Sequence, residues 1–198
     1  MGKVILLSGA PGTGKTTLRH ALAQRVSGLR AFDYGQLLLS RKQGEGIGLT
    51  YEQLRQESAA VISPEDVAST DDWVVAEIAR LRLATHIIID SHALTREAYG
   101  FRAVAFSQRR LQDLKLDAVL ILRCDPDVLI ARVARDPQGR RDLTVELARE
   151  IQTLQAALCL TYGVACGCPV FVIDTTALSE GDVADSALQL LAQVGVVD

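Results

Sequence analysis

The stretch Ser8-Gly9-Ala10-Pro11-Gly12-Thr13-Gly14-Lys15-Thr16-Thr17 constrains this chain more than any other. It follows the apolar run Lys3-Val4-Ile5-Leu6-Leu7, which reads as a buried strand, and it opens a helical stretch over 15–26. Gly9, Gly14, Lys15 and Thr16 meet the pattern G-x-x-x-x-G-K-[ST]. Glycines at this spacing let backbone N–H groups converge on one point where an anion can sit, and the helix adds its positive end. Lys15 can reach the outer phosphates of a nucleoside triphosphate, and the Thr16 hydroxyl can meet Mg2+. Residues 9–17 are therefore the expected nucleotide site.

A strand, a loop and a helix in this order set the rhythm for the rest. Further short aliphatic runs at 29–33, 85–90, 117–122 and 169–174 read as strands. Helical stretches are expected over 51–60, 65–83, 107–114, 126–134, 143–162 and 180–193. Ser63-Pro64-Glu65-Asp66 has the composition of a helix start, with a capping Ser, Pro in the first turn and acids at the positive end; Asp125-Pro126-Asp127 follows the same logic. Strands alternating with helices imply a parallel sheet covered on both faces. The interval of about fifty residues between the second and third strands breaks that rhythm. It holds Gly44, Gly46 and Gly48 close together and reads as an inserted helical subdomain, about 35–84, with a mobile turn.

The chain of 198 residues suits one domain, and its 48% apolar residues argue against disorder. A net charge of −3 argues against general nucleic-acid binding. No apolar run is long enough to span a bilayer, and a strand starting at residue 3 leaves no room for a signal peptide. A cytoplasmic protein is expected. Cys124, Cys159, Cys166 and Cys168 lack zinc-site spacing and read as packing thiols in a reducing compartment.

Ile87-Ile88-Ile89-Asp90 is an apolar strand that ends in a carboxylate, which would lie beside the phosphate loop and face Mg2+ or its water. Ser91 and His92 follow, and no residue there obviously activates a water. The chain contains no Asn, so a guanine-reading N-K-x-D motif is absent too. Both features point away from hydrolysis and toward transfer to a bound acceptor. The basic patch of Arg132, Arg135, Arg140 and Arg141 surrounds the turn Asp136-Pro137-Gln138-Gly139. Arginines around a transferring phosphoryl group stabilise its charge, and a short loop between helices makes a lid, about 132–142. Its alternative is a solvated turn with internal Arg–Asp pairs. Phe32-Asp33-Tyr34-Gly35 ends the second strand at the edge where an acceptor would bind. Asp33 there either meets the acceptor or caps the next helix. Arg41 and Arg55 on the insert are candidate acceptor-phosphate ligands, and His92 is a candidate acceptor contact. His20 and His86 read as surface and strand-edge residues, and Trp73 as core beside Val74, Val75 and Ile78.

Taken together, Gly9 to Thr17, Phe32-Asp33-Tyr34-Gly35, Asp90-Ser91-His92, Arg140-Arg141-Asp142 and Leu160-Thr161-Tyr162-Gly163-Val164 resemble the archaeal-type adenylate kinases, within the P-loop nucleoside monophosphate kinases. The resemblance covers nearly the whole chain. It implies the three-layer α/β sandwich of P-loop NTPases, with a five-stranded parallel sheet in the order 2-3-1-4-5. It further implies ATP with Mg2+, AMP as acceptor, and trimers. Lys15, Asp90, Arg132 and Arg141 would carry catalysis, Arg135 and residues 9–17 would bind ATP, and Thr16 with Asp90 would hold the metal. Asp33, Arg41, Arg55 and His92 would hold the acceptor, Arg55 falling where the family has an arginine. Three departures stand out: Gly100-Phe101-Arg102-Ala103-Val104-Ala105-Phe106 lacks the family's prolines, Gln36 replaces a small residue, and 60–72 matches poorly. All lie on the acceptor side. An alcohol acceptor, with Asp33 as base, and a nucleotide-binding regulator with little turnover therefore stay open beside AMP.

Overall fold

A computed structural model describes residues 1–197 apart from 57, 98, 104–105 and 136–142, with the backbone alone for 55, 56, 58 and 59. Five parallel strands form the central sheet: β1 (Val4–Gly9), β2 (Arg30–Asp33), β3 (Ile87–Asp90), β6 (Ala118–Arg123) and β7 (Val170–Asp174). Their order is β2-β3-β1-β6-β7. A separate antiparallel hairpin, β4 (Leu94–Glu97) with β5 (Gly100–Ala103), stands between β3 and β6 in the chain. The expected order 2-3-1-4-5 holds for the parallel strands counted alone; the numbering changes because the hairpin was not foreseen.

β1 is buried along its whole length between two parallel neighbours. Strand side chains alternate between faces, and the core divides accordingly. Val4, Leu6, Ile87, Ile89, Val119 and Ile121 face one cluster, covered by α2 (Tyr34–Gly44), α5 (Pro64–Leu81), α6 (Gln108–Leu114) and α8 (Val145–Cys166). Ile5, Leu7, Ile88, Leu120 and Leu122 face the other, covered by α1 (Lys15–Arg25) and α9 (Glu180–Ala192). A third cluster joins Ala10 to α7 (Pro126–Ala134) and α8. Sheet and both helix layers form a three-layer sandwich.

Between β2 and β3 the described chain is largely helical, and its first element, α2, follows β2 without a linker: Asp33 ends the strand and caps the helix by accepting from the Gln36 N–H at 3.0 Å. The stretch 51–60 is described as α3 (Tyr51–Gln56) and α4 (Ser58–Val61). α5 begins in a capping box in which Ser63 and Asp66 satisfy each other's backbone N–H groups. Trp73 is a correction: it is 41% exposed and packs edge-on against Phe32 at 6.1 Å, while Val74 and Ile78 fill the core. All four cysteines are free thiols. Among the described residues, no helix is long and apolar enough to cross a membrane.

Asp66 also receives Lys42 from α2 at 2.6 Å. Burial pushes its carboxyl up, but the hydrogen bonds from Lys42 and Ser63 outweigh that and hold it below the usual carboxylate range. A carboxylate depressed in the folded state adds stability above its unfolded pKa, lost as pH falls through the folded value. Asp66→Asn is therefore expected to lower the urea midpoint at pH 7 by roughly 0.5 M. The gap to the unmodified protein should close as pH drops below 3.8, the ordinary value. A gap of the same size at pH 3 and pH 7 would contradict this account.

Two glutamines on α8 tie it to the sheet. The Gln152 amide pairs with both backbone groups of Cys124, accepting from its N–H at 2.8 Å and donating to its carbonyl at 2.9 Å. One turn on, Gln155 donates to the Ser8 hydroxyl at 2.6 Å, and Ser8 donates to the Ser91 carbonyl at 3.0 Å.

Candidate functional site

Gly9, Gly12 and Gly14 take φ values of 151°, 92° and 97°, the left-handed region that lets this loop turn inward. Thr13 closes the turn, its N–H and hydroxyl both donating to the Ala10 carbonyl. The Lys15 ammonium folds back over the loop and donates to the Gly9 carbonyl at 2.9 Å. Among the described helices longer than six residues, α1 alone has no side-chain cap at its N-terminus, where Gly14 stands. Its first N–H groups are thus left for an anion. Thr16 and Thr17 are exposed beside them.

A cleft of about 780 Å³ opens over this loop along the carboxyl ends of the strands. Of the residues anticipated from sequence, residues 10–17 of the loop, Asp33, Asp90, His92, Arg132 and Arg135 line it, while Gly9 lies behind the lining. Arg41 does not line it; its guanidinium donates to Ser69 at 3.2 Å, along the outside of α2 and α5. The Arg55 side chain, Arg140 and Arg141 lie outside the described residues, as does the turn of the anticipated lid.

The donor side is tightly braced. Arg132 on α7 donates to the Thr175 hydroxyl at 3.0 Å and to its carbonyl at 2.8 Å. Thr175 follows β7 and its hydroxyl donates to the carbonyls of Thr13 and Arg123, both at 3.2 Å. His92 crosses from the end of β3 to the Gly9 carbonyl at 3.2 Å. A carbonyl only accepts, so Nδ1 carries the proton in that contact. Ser91 is anchored to β1 through its N–H on Leu7 at 3.1 Å.

Asp33 and Asp90 are register partners on adjacent strands. Arg19, one helical turn beyond Lys15, lies between them: 3.0 Å from Asp33 Oδ2 and 3.6 Å from Asp90 Oδ2. Burial pushes the Asp90 carboxyl above its usual value and the Asp33 charge adds to that, while Lys15 and Arg19 pull it back. Sequence reading missed Arg19; its spacing of four from Lys15, which puts both on one helix face, was the available signal. It also missed Thr95, Arg96 and Arg102, which the hairpin brings into the cleft lining, where the Arg102 guanidinium donates to the Ile62 carbonyl at 3.3 Å.

An anion cradle with Lys15, a hydroxyl at Thr16 and a buried carboxylate at Asp90 are the parts that hold a nucleoside triphosphate with its metal. Comparison with known proteins agrees with that geometry. A family model described as an AAA domain matches residues 8–149. The chain is 30% identical over 154 residues to the adenylate kinase of Pyrobaculum aerophilum, covering 77% of this chain and 73% of that protein. It is 26% identical over 170 residues to the adenylate kinase of Thermoplasma acidophilum, covering 85% and 87%. In shape it is similar to a shikimate kinase from Acinetobacter baumannii in complex with shikimate, with a TM-score of 0.62, 18% identity and coverage of 100% and 97%. That likeness carries the fold of a P-loop kinase. With the phosphate loop, the strand order and these relatives in agreement, the chain belongs to the archaeal-type adenylate kinases of the P-loop nucleoside monophosphate kinase family.

Proposed function

We propose that this protein transfers the γ-phosphoryl group of ATP to a nucleoside monophosphate, AMP being the acceptor its relatives suggest. The observation that carries the acceptor class is the state of Asp33. One carboxylate oxygen caps α2 and the other faces Arg19 at 3.0 Å. Both carboxylate oxygens thus already have partners within the protein, an arrangement that suits a structural clamp better than a base for an acceptor hydroxyl. An alcohol acceptor benefits from a base; an acceptor phosphate is already an anion and needs none.

Catalysis is then positioning and charge stabilisation. The loop amides and the α1 N-terminus bind the phosphates. Lys15 exchanges its loop carbonyls for phosphate oxygens. Mg2+ would be held by Thr16 and Asp90, and when bound it supplies charge neutralisation on the phosphate oxygens. Arg132 and Arg135, at the end of α7, face the donor, with the lid residue Arg141 joining them. His92, Arg96 and Arg102 would hold the acceptor from the β3 and hairpin side, with Arg55 as the contribution of the insert.

The test is ADP formation from ATP and Mg2+ with AMP, CMP, GMP, UMP or no acceptor, on the unmodified protein and on Asp33→Asn. Monophosphate-dependent turnover is expected, with kcat in the variant falling by less than about fivefold. Silence with all four monophosphates would sink the reading. A fall of more than about 100-fold at little-changed acceptor KM, the loss typical of a missing base, would favour an alcohol acceptor. ATP binding without turnover toward any acceptor would favour a regulator.

A further inference from the structure

The cleft presents a chemical contradiction. An anionic acceptor must approach the carboxyl edge of β2 and β3, yet two carboxylates stand side by side there, Asp33 and Asp90, in register on adjacent strands. Their side chains are only 19% and 8% exposed, so solvent screens them weakly. Arg19 resolves the contradiction. It is 13% exposed, is anchored on α1, and contacts Oδ2 of both carboxylates without being part of the cleft wall itself.

We propose that Arg19 is the positioning residue that lets this cleft accept an anion, by cancelling one charge of the Asp33–Asp90 pair and holding both carboxylates through their Oδ2 atoms. The inference rests on the monophosphate reading above. Arg19 touches neither substrate; it acts through the two carboxylates. The Asp33 oxygen left over caps α2, so the clamp also fixes where the insert leaves the sheet. Asp90 Oδ1, which Arg19 does not contact, would serve the metal. Arg19 lies four residues after Lys15 on one helix, so the cation for the donor phosphates and the cation for the carboxylate pair move as one body.

The experiment measures AMP KM, kcat and ATP affinity for the unmodified protein, R19Q, R19K and the double variant R19Q/D33N. Removing the guanidinium charge from between the two carboxylates should raise AMP KM roughly 30-fold in R19Q. ATP affinity, read by calorimetry without acceptor, should move by less than about threefold. R19K should recover part of the KM, because it restores the charge without the fork. R19Q/D33N should recover most of it, because Asn keeps the α2 cap while taking away the unbalanced carboxylate. A KM rise that R19Q/D33N leaves in place would overturn the charge account and make Arg19 a packing residue. An AMP KM within about threefold in R19Q would overturn it as well. Should R19Q fail to fold, D33N alone decides: with Arg19 in place and one carboxylate gone, AMP KM should fall roughly fivefold, and an unchanged or raised KM overturns the proposal. A wild-type protein with no AMP-dependent turnover removes the monophosphate reading and this inference together, a result distinct from active enzyme with an indifferent R19Q.

Discussion

Lys15→Ala is expected to lower phosphoryl transfer by at least about 1,000-fold, or about 4 kcal/mol of transition-state stabilisation. The Lys15 ammonium sits over the loop, 2.9 Å from the Gly9 carbonyl, and is almost fully shielded from solvent. In such a place a cation aimed at developing phosphate charge is screened little and needs no reorganisation. Alanine is the best helix former, and the Gly9 and Ala10 carbonyls that lose Lys15 keep His92 and Thr13 as partners, so α1 stays folded. Single-turnover transfer and a melting curve on the same preparation check both halves. Turnover within about tenfold of the unmodified protein, with an unaltered melt, would mean that the charge on the γ-phosphoryl group is carried elsewhere.

Gly9→Ala should instead strike the fold and the site at once. A Cβ there would stand 2.6 Å from the Leu122 carbonyl oxygen and 2.8 Å from the Thr13 hydroxyl, on a backbone with φ of 151°. Leu122 belongs to a buried strand paired on both sides, so the carbonyl has nowhere to retreat. Strain and overpacking together cost about 4 kcal/mol, which for a chain of this size is a fall in Tm of roughly 10 °C. The Gly9 carbonyl also receives Lys15 and His92, so nucleotide affinity should fall with stability. Gly14→Ala is the control: its Cβ would meet nothing within 4 Å, leaving only the backbone strain. Equal melting temperatures for the two variants would refute the steric argument.

The phosphate loop was legible because everything that makes it is local: glycines, a lysine and a hydroxyl within ten residues, with a strand before and a helix after. The caps at Ser63 and Asp125 were legible for the same reason. α2 was not, because it starts inside Phe32-Asp33-Tyr34-Gly35 and carries a glycine near each end, which reads as a loop. The hairpin was hidden too: Leu94–Glu97 and Gly100–Ala103 are only four residues each and lack the turn dipeptides that announce a hairpin. Asp33 and Asp90 are 57 residues apart in number and become neighbours only through sheet register, so the demand for a cation between them is invisible before the sheet is assembled. Arg41 shows the converse. An insert arginine looks like a phosphate ligand until the packing of α2 on α5 turns it toward Ser69.

The glutamine ties of α8 divide the molecule into what can travel and what cannot. A helix held by apolar packing alone can slide a fraction of a turn at small cost. α8 cannot, because the Gln152 amide is matched to the donor and acceptor of Cys124, and Gln155 is matched to Ser8. Any displacement along its axis would break the paired Gln152–Cys124 bonds and the buried Gln155–Ser8 bond at once. The helix is thus keyed to the sheet as a fixed abutment.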